Sequence, residues 1–229
     1  MYNHLLFDAD GTLFDFKAAE RHALVALFQE LGIEGTESMK ALYSQVNHAI
    51  WLEFEQGTIA IETLKTERFR RFFDKLQLVH DPMKASNRYL DFLSQSDHLL
   101  PKALDILTTL RQRGYRLSLI TNGISRVQRG RLAATKTESF FEHIVISEEV
   151  GSQKPDPAFF AALFTLAGMD EKAQRHALVI GDSLSSDIKG GLAARLDTCW
   201  YNPDRIPRDP QLQPIYEINR LEELLDLLP

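Results

Sequence analysis

Cysteine is nearly absent from this chain of 229 residues, which contains only Cys199. A single cysteine excludes an internal disulfide and any zinc site built from several cysteines. No apolar run approaches the roughly 18 residues that a membrane-spanning helix requires, and the N-terminal Met-Tyr-Asn-His carries no basic leader pattern. These absences predict a cytoplasmic protein that does not act on a membrane.

Positive charge is also scarce, because 26 Lys and Arg stand against 32 Asp and Glu, for a net charge of −6. Nucleic-acid polymers and acidic membranes bind proteins through basic surfaces, so neither is expected as a partner. A small phosphorylated metabolite is compatible with this balance, since one lysine and a few backbone N–H groups can hold it. With 44% apolar and 25% charged residues, the composition is that of a globular protein.

Five short apolar runs end abruptly at polar residues, which is typical of strands buried on both faces of a parallel sheet. The runs lie at residues 4–7, 116–120, 143–146, 177–180 and 198–201. Helical patterns lie at residues 101–114, 124–136, 156–168, 184–195 and 221–228. The alternation predicts an α/β fold, with a Rossmann-like parallel sheet covered by helices on both faces.

A different pattern fills the chain between the first strand and Pro101. Amphipathic helices are predicted there at residues 18–31, 39–54, 61–76 and 83–93, with almost no strand signal. We interpret residues 16–98 as a helical cap inserted after the first strand. Residues 1–15 and 99–229 then form the core domain.

Polar residues at the predicted strand ends should share one crevice, because parallel sheets bind ligands beyond the carboxyl ends of their strands. The set comprises Asp8, Asp10, Thr121, Asn122, Lys154, Asp182 and Asp187. Four carboxylates cannot share a small pocket ionised and unpaired, since like charges and desolvation raise their pKa values. Oxygen ligands without His or Cys favour Mg²⁺. With a lysine, a hydroxyl and an amide added, the set suits a phosphoryl group better than a neutral substrate.

Four ordered motifs carry a resemblance to a known family. They are Asp8-Ala9-Asp10-Gly11-Thr12-Leu13-Phe14, Thr121-Asn122-Gly123, Lys154-Pro155, and Gly181-Asp182-Ser183 with Asp187. In this order, each at a predicted strand end, they resemble the motifs of the haloacid dehalogenase (HAD) superfamily. The resemblance spans the whole chain, because the superfamily's common phosphatase branch carries a helical cap of the C1 type after the first strand.

The resemblance implies catalytic roles for the two acids of the first motif. Asp8 would be the nucleophile that becomes a transient aspartyl phosphate. Asp10 would be the general acid that protonates the leaving oxygen and then the base that activates water. Superfamily members that displace halide lack an acid at this second position, so Asp10 favours a phosphatase.

The resemblance also implies which residues bind phosphate and metal. Thr121, Asn122 and Lys154 would bind the phosphoryl oxygens. Mg²⁺ would be held by Asp8, by Asp10 through its backbone carbonyl, and by Asp182 and Asp187. Asp187 would be either a direct ligand or a residue that orders a ligand or a metal-bound water.

Residues 51–59, 146–151 and 198–202 resemble the bacterial cap-bearing 5′-nucleotidases. Those enzymes dephosphorylate nucleoside monophosphates, with a leaning toward pyrimidine and non-standard bases. The resemblance therefore implies a magnesium-dependent phosphomonoesterase that acts on nucleoside 5′-monophosphates. Trp51 or Phe54 could stack on a base, although their helical spacing favours positions in the cap core.

Other functions fit the same residues. A phosphatase for sugar phosphates or phosphoglycolate would use the same core motifs, and so would a phosphosugar mutase. A phospho-accepting receiver-like module is the alternative without enzymatic turnover, although such a module has no use for a large lid. One position departs from the family pattern: Arg195 replaces the usual Gly, which predicts a different ending for the helix before the fifth strand.

Overall fold

The computed structural model describes residues 2–229. Six parallel strands form one sheet in the order β3-β2-β1-β4-β5-β6. Their bounds are β1 His4–Phe7, β2 Arg116–Thr121, β3 His143–Ile146, β4 Ala177–Gly181, β5 Asp197–Tyr201 and β6 Tyr216–Ile218. The predicted α/β fold is confirmed. The sequence pattern missed β6, because three residues of which only Ile218 is buried give no apolar run.

The centre of the sheet explains why the polar residues meet. Strand β1 lies between β2 and β4, with Phe7 opposite both Leu119 and Ile180. From β1 the chain proceeds to β2 and β3 on one side, and β4, β5 and β6 follow on the other side. A crevice opens at such a switch point beyond the carboxyl ends of the strands, which is where ligands bind in open α/β sheets.

Helices cover both faces of the sheet, as predicted. They are α5 Ala103–Gln112, α6 Ser125–Thr135, α7 Ser147–Val150, α8 Pro157–Ala167, α9 Glu171–Gln174, α10 Lys189–Ala193 and α11 Leu224–Leu227, with 3₁₀ turns at Glu138–Phe140 and Leu221–Glu223 and a π-helical turn at Leu184–Ile188. Leu5 and Phe7 pack into one apolar cluster with α5 and α11. Leu6, which points the other way along the strand, packs into a second cluster with Phe159 and Phe160 of α8.

Four helices follow β1 in the segment interpreted as the cap. They are α1 Phe16–Leu31, α2 Glu37–Glu55, α3 Ile61–Leu76 and α4 Pro82–Ser94. Helix α1 begins two residues before the predicted start because the Asp15 carboxylate accepts a hydrogen bond from Ala18 N at 2.9 Å. An aromatic cluster that includes Tyr43, Phe69 and Tyr89 holds these helices together, and it extends to Val127 of α6 in the core.

Two further sequence expectations concern the turn at Arg195 and the lengths of apolar helices. Arg195 has φ of +59°, the left-handed conformation that a glycine would adopt there, so the predicted change in helix ending was wrong. Arg195 N donates to Leu192 O at 3.0 Å and Leu196 N donates to Gly191 O at 2.9 Å, which is the usual hydrogen-bond pattern of a left-handed helix end. An arginine accepts this conformation at a cost of roughly 1–2 kcal/mol. Across residues 2–229, every helix is too short or too polar to span a bilayer.

Candidate active site

All seven polar residues predicted at the strand ends line one cavity of about 390 Å³ at the carboxyl edge of the sheet. Asp8 and Asp10 follow β1, Asp182 follows β4, and Asp187 lies in the π-helical turn after β4. The remaining three are Thr121 and Asn122 at the end of β2 and Lys154 in the loop before α8. Residues 8 and 187 are thus brought together by topology rather than by sequence proximity.

Lys154 lies at the centre of the acidic residues and is 1% exposed. Its ammonium donates to Asp8 Oδ1 at 2.7 Å, to Asp187 Oδ1 at 2.6 Å and to the Ile120 carbonyl at 2.8 Å. Burial alone would lower the pKa of Lys154, but the charges of Asp187 and Asp8 raise it above its ordinary value. All three N–H groups are engaged, so a phosphoryl oxygen would bind Lys154 by replacing one of these partners.

The backbone of two glycines passes close to the carboxylates of Asp182 and Asp187. Thr12 Oγ1 donates to Asp182 Oδ1 at 3.3 Å and accepts from Asp182 N at 3.1 Å. Gly11 has φ of +86°, and a Cβ at this position would overlap the Asp182 carboxylate. A Cβ on Gly181 would overlap Asp187 in the same way. The glycines of both motifs therefore leave the space that the carboxylates occupy.

Asp8, Asp182 and Asp187 form a cluster suited to a hard cation. One oxygen from each carboxylate lies within 4.8 Å of the other two. Burial, followed by the charge of Asp187, raises the pKa of Asp8 well above its ordinary range, and the same two causes raise the pKa of Asp182 to about 7. Lys154 supplies one positive charge against three carboxylates, and an oxygen-only donor set of this kind fits Mg²⁺.

Asp10 is separate from this cluster, because its carboxylate faces helix α6. Gln128 Nε2 donates to Asp10 Oδ2 at 2.5 Å, and Arg131 Nη1 forms an ion pair with Asp10 Oδ1. Asp10 still lines the cavity that contains Asp8. Gln128 and Arg131 were missed by sequence reasoning, since a Gln and an Arg on a helix give no signal of a buried polar role.

Thr121 and Asn122 make local hydrogen bonds that shape the loop after β2. Thr121 Oγ1 accepts from Gly123 N at 3.0 Å. The Asn122 carboxamide accepts from Lys154 N and donates to Lys154 O, both at 2.8 Å. Asn122 therefore fixes the backbone that carries Lys154. These two bonds use one N–H of the Asn122 amide, which leaves the second N–H for the predicted phosphate contact.

The cap contributes a polar network to the opposite wall of the cavity. Glu20 of α1 accepts from Asn47 Nδ2 at 2.9 Å and from the Ser44 hydroxyl, and all three residues line the cavity. Arg68 of α3, which is 1% exposed, donates through Nη1 to Asn47 Oδ1 at 3.3 Å. These contacts fix which way the Asn47 amide faces and use one of its two N–H groups and one of its two oxygen lone pairs. No sequence pattern marked this network in advance.

The two aromatic residues singled out in the cap lie in different places. Trp51 is half-buried and lines the cavity, together with Phe16 and His48. Phe54 is buried against Ile50 and meets Trp51 edge-on, with ring centroids 5.6 Å apart. Phe54 is not among the residues that line the cavity. Of the two, Trp51 therefore reaches the cavity, whereas Phe54 packs against the Trp51 ring.

Comparison with known proteins places this geometry in a family. The family model for haloacid dehalogenase-like hydrolases matches residues 2–195. The chain belongs to this hydrolase family. It is an enzyme, and the membership that its four motifs predict is confirmed.

Relatives match the chain along its whole length. Pyrimidine 5′-nucleotidase PynA of Streptococcus pneumoniae is 39% identical over 99% of this chain and 95% of its own. Pyrimidine 5′-nucleotidase YjjG of Escherichia coli is 31% identical over 99% of this chain and 98% of its own. A crystal structure of the HAD-hydrolase YfnB from Bacillus subtilis, bound to magnesium and revealing interdomain movement, is 39% identical with a TM-score of 0.92. That alignment covers 99% of this chain and 98% of YfnB.

Proposed function

We propose that this protein is a magnesium-dependent phosphomonoesterase that hydrolyses nucleoside 5′-monophosphates to nucleoside and phosphate. The observation that carries the proposal is the cluster of carboxylates around Asp8, in contact with Lys154, in a cavity that a second acid, Asp10, also lines. Such a site neutralises and positions a phosphoryl group. Full-length similarity to two pyrimidine 5′-nucleotidases supports the choice of substrate class.

In the first step, a carboxylate oxygen of Asp8 attacks phosphorus while the bond between phosphorus and the ester oxygen breaks. Asp10 enters this step protonated and gives its proton to the departing alkoxide, which yields the alcohol and an aspartyl phosphate at residue 8. The 2.7 Å bond from Lys154 fixes one Asp8 oxygen, so the other oxygen is presented to the cavity. This placement converts attack into an intramolecular event of fixed geometry.

In the second step, the Asp10 carboxylate removes a proton from water as the water oxygen attacks phosphorus. The bond between phosphorus and Asp8 breaks, inorganic phosphate leaves, and both acids return to their starting protonation states. When bound, Mg²⁺ would be held by Asp8, Asp182, Asp187 and the Asp10 backbone carbonyl, and it would neutralise charge on the phosphoryl oxygens. Asp187 accepts bonds from Lys154 and Ser183 N, which suits a residue that orders the site.

The cap wall is suited to a leaving group that has both an aromatic face and a polar edge. Trp51 offers a ring to the cavity, and stacking of a base on an aromatic side chain contributes roughly 1–3 kcal/mol. Asn47 offers an oriented donor and acceptor pair, which is the complement of the amide-like edge of a pyrimidine. A sugar phosphate would satisfy the core motifs but would leave the aromatic wall unused.

The test is phosphate release with Mg²⁺ from nucleoside monophosphates, sugar phosphates and phosphoglycolate, run beside Asp8→Asn. We expect selective hydrolysis of pyrimidine monophosphates and a fall in kcat of about 10⁴-fold or more in Asp8→Asn, the scale seen when a covalent nucleophile is removed. Asp204→Asn is the control, because Asp204 is exposed and pairs only loosely with Lys17 at 3.7 Å.

Each other outcome identifies a different alternative. Preference for sugar phosphates would keep the roles of Asp8 and Asp10 but overturn the nucleotidase proposal. Transfer of phosphate between sugar positions without release would indicate a mutase. A stable phosphoprotein that never turns over would indicate a receiver-like module. Full activity of Asp8→Asn would refute the mechanism itself.

A further inference from the structure

Two side chains from one turn of helix α6 bind the carboxylate of Asp10, one on each oxygen. Gln128 and Arg131 are three residues apart, so their side chains project from the same face of the helix. Gln128 Nε2 binds Asp10 Oδ2, and Arg131 Nη1 binds Asp10 Oδ1. Because each oxygen has its own donor, both the position and the plane of the carboxylate are fixed by α6 rather than by the loop after β1.

Arg131 is an unusual residue to bury. Its side chain is 0% exposed, and its guanidinium lies over the Phe14 ring at 4.3 Å from the centroid. Its Nε and Nη2 atoms have no hydrogen-bond partner in residues 2–229. A buried guanidinium with unpaired nitrogens costs stability unless an anion compensates it. Within the described chain Asp10 is the carboxylate that pairs with Arg131, so the burial is explained by Asp10 and not by packing alone.

The loop after β2 leaves space for Gln128, the other donor to Asp10. A Cβ built on Gly123 would overlap the Gln128 side-chain amide. Gln128 is itself 1% exposed, and its Oε1 has no partner among the described residues. Gly123, the third residue of the Thr121-Asn122-Gly123 motif, thus leaves the space in which the Gln128 side chain reaches Asp10.

We propose that Gln128 and Arg131 are positioning residues that hold Asp10 in the orientation needed for proton transfer; the proposal rests on the phosphomonoesterase function above. A carboxylate has about four lone-pair sites. The two donors occupy one site on each oxygen, so a remaining site can carry the proton that Asp10 gives up in the first step and recovers in the second. Asp10 lines the same cavity as Asp8. Without the two donors, the Asp10 side chain regains rotamer freedom, and the transferred proton loses its fixed path.

A positioning role differs from a structural role in its dependence on the leaving group. p-Nitrophenolate departs without a proton, whereas the alkoxide of benzyl phosphate needs one from Asp10. The two substrates are similar in size and both are aromatic. Loss of Asp10 orientation therefore slows benzyl phosphate selectively, while general damage to the site slows both substrates alike.

The experiment compares kcat/KM for benzyl phosphate and p-nitrophenyl phosphate in the native protein, Arg131→Met and Arg131→Lys, because kcat/KM reports the phosphoryl transfer step. We expect the benzyl to p-nitrophenyl ratio to fall by about 10²-fold in Arg131→Met, the lower range for general acid catalysis. Arg131→Lys, which keeps a cation, should recover part of the ratio. Arg129→Met is the matched control, because Arg129 lies on the same helix, is exposed and pairs with Glu149.

An unchanged ratio in a folded Arg131→Met would overturn the proposal. Gln128→Leu provides a second test if Arg131→Met does not fold, since it removes a neutral donor and leaves the ion pair. A native protein that hydrolyses neither ester would instead count against the proposed function. In that case, crystal structures of the native protein and Gln128→Leu still decide the positioning claim, which fails if the Asp10 carboxylate has the same orientation in both.

Discussion

The ammonium of Lys154 lies 2.7 Å from Asp8 Oδ1, with both side chains buried at the end of the central strand. The same ammonium lies 2.6 Å from Asp187 Oδ1. One cation therefore bridges Asp187 and the proposed nucleophile, Asp8. Burial opposes the charge of Lys154, but the charges of Asp187 and Asp8 outweigh it and raise the pKa of Lys154 above its ordinary value, so the lysine is cationic near neutral pH.

Replacing Lys154 by methionine should destabilise the protein by about 3–5 kcal/mol, since removing one partner of a buried ion pair leaves the other charge uncompensated. Urea unfolding near neutral pH without Mg²⁺ measures the loss, and excess Mg²⁺ should restore part of it. Lys17→Met is the control, because Lys17 is 91% exposed and should contribute little. Equal stability of Lys154→Met and the native protein in EDTA would show that the carboxylates are not held ionised by Lys154.

Stabilisation by Mg²⁺ should grow as the pH rises through 7. Burial and the charge of Asp187 raise the pKa of Asp182 to about 7 from an ordinary value of 3.8, so the folded protein binds this proton more tightly than the unfolded chain. In the absence of metal, this contribution to stability is present at low pH and is lost as the pH rises through about 7. Metal binding needs the deprotonated carboxylate, so it compensates most at high pH.

Thermal unfolding in EDTA and in excess MgCl₂ tests this linkage at about pH 6 and about pH 8. We expect a larger rise in Tm with Mg²⁺ at the higher pH, and a much smaller pH effect in Asp182→Asn. A rise in Tm of the same size at both pH values would contradict the raised pKa of Asp182.

The sheet and the strand-end residues were predictable because they depend on local patterns and one topological rule. Apolar runs identified five strands, and parallel pairing brought Asp8 and Asp182 to one edge whatever their separation in sequence. The Arg195 prediction failed because it inferred backbone conformation from residue type alone. Backbone hydrogen bonds at the end of α10 and the burial of Leu196 fix that turn, and the arginine adopts it.

Replacing Arg195 by glycine should therefore stabilise the protein by about 0.5–1 kcal/mol, since glycine relieves the left-handed strain at a smaller entropic cost. The matched control is Arg175→Gly, which alters an exposed arginine at a helix end where φ is −65°. That change should destabilise the protein by about 0.5–1 kcal/mol. Urea unfolding of both variants measures the difference, and the same sign of effect at both positions would refute the conformational argument.

The residues that sequence reasoning missed share one property: each acts through a partner distant in the chain. Arg131 meets Asp10, and Asn47 is oriented by Glu20 and Arg68 from two other helices. A polar residue on an amphipathic helix usually faces solvent, so the sequence gives no reason to expect burial. Only the packing of α6 against the loop after β1, and of the cap helices on one another, reveals these contacts.

Trp51 and Phe54 offer a direct test of where the substrate base binds. Trp51 lines the cavity and Phe54 packs behind it, so Trp51→Leu should raise KM for a pyrimidine nucleoside monophosphate by about 10-fold through lost stacking. KM for ribose 5-phosphate, which has no base, should change little. Phe54→Leu should lower Tm by leaving a cavity in the cap core, with a smaller effect on the KM ratio of the two substrates.

Steady-state kinetics with both substrates, together with thermal unfolding of both variants, separate these effects. If the base stacks on Trp51, the KM ratio moves in Trp51→Leu and the Tm moves more in Phe54→Leu. A KM ratio that is unchanged in Trp51→Leu would show that the base binds elsewhere in the cavity. Asn47, which also lines it, would then be the next residue to replace. A ratio that moves equally in both variants would mean that the two rings act as one packed unit, since Phe54 meets Trp51 edge-on.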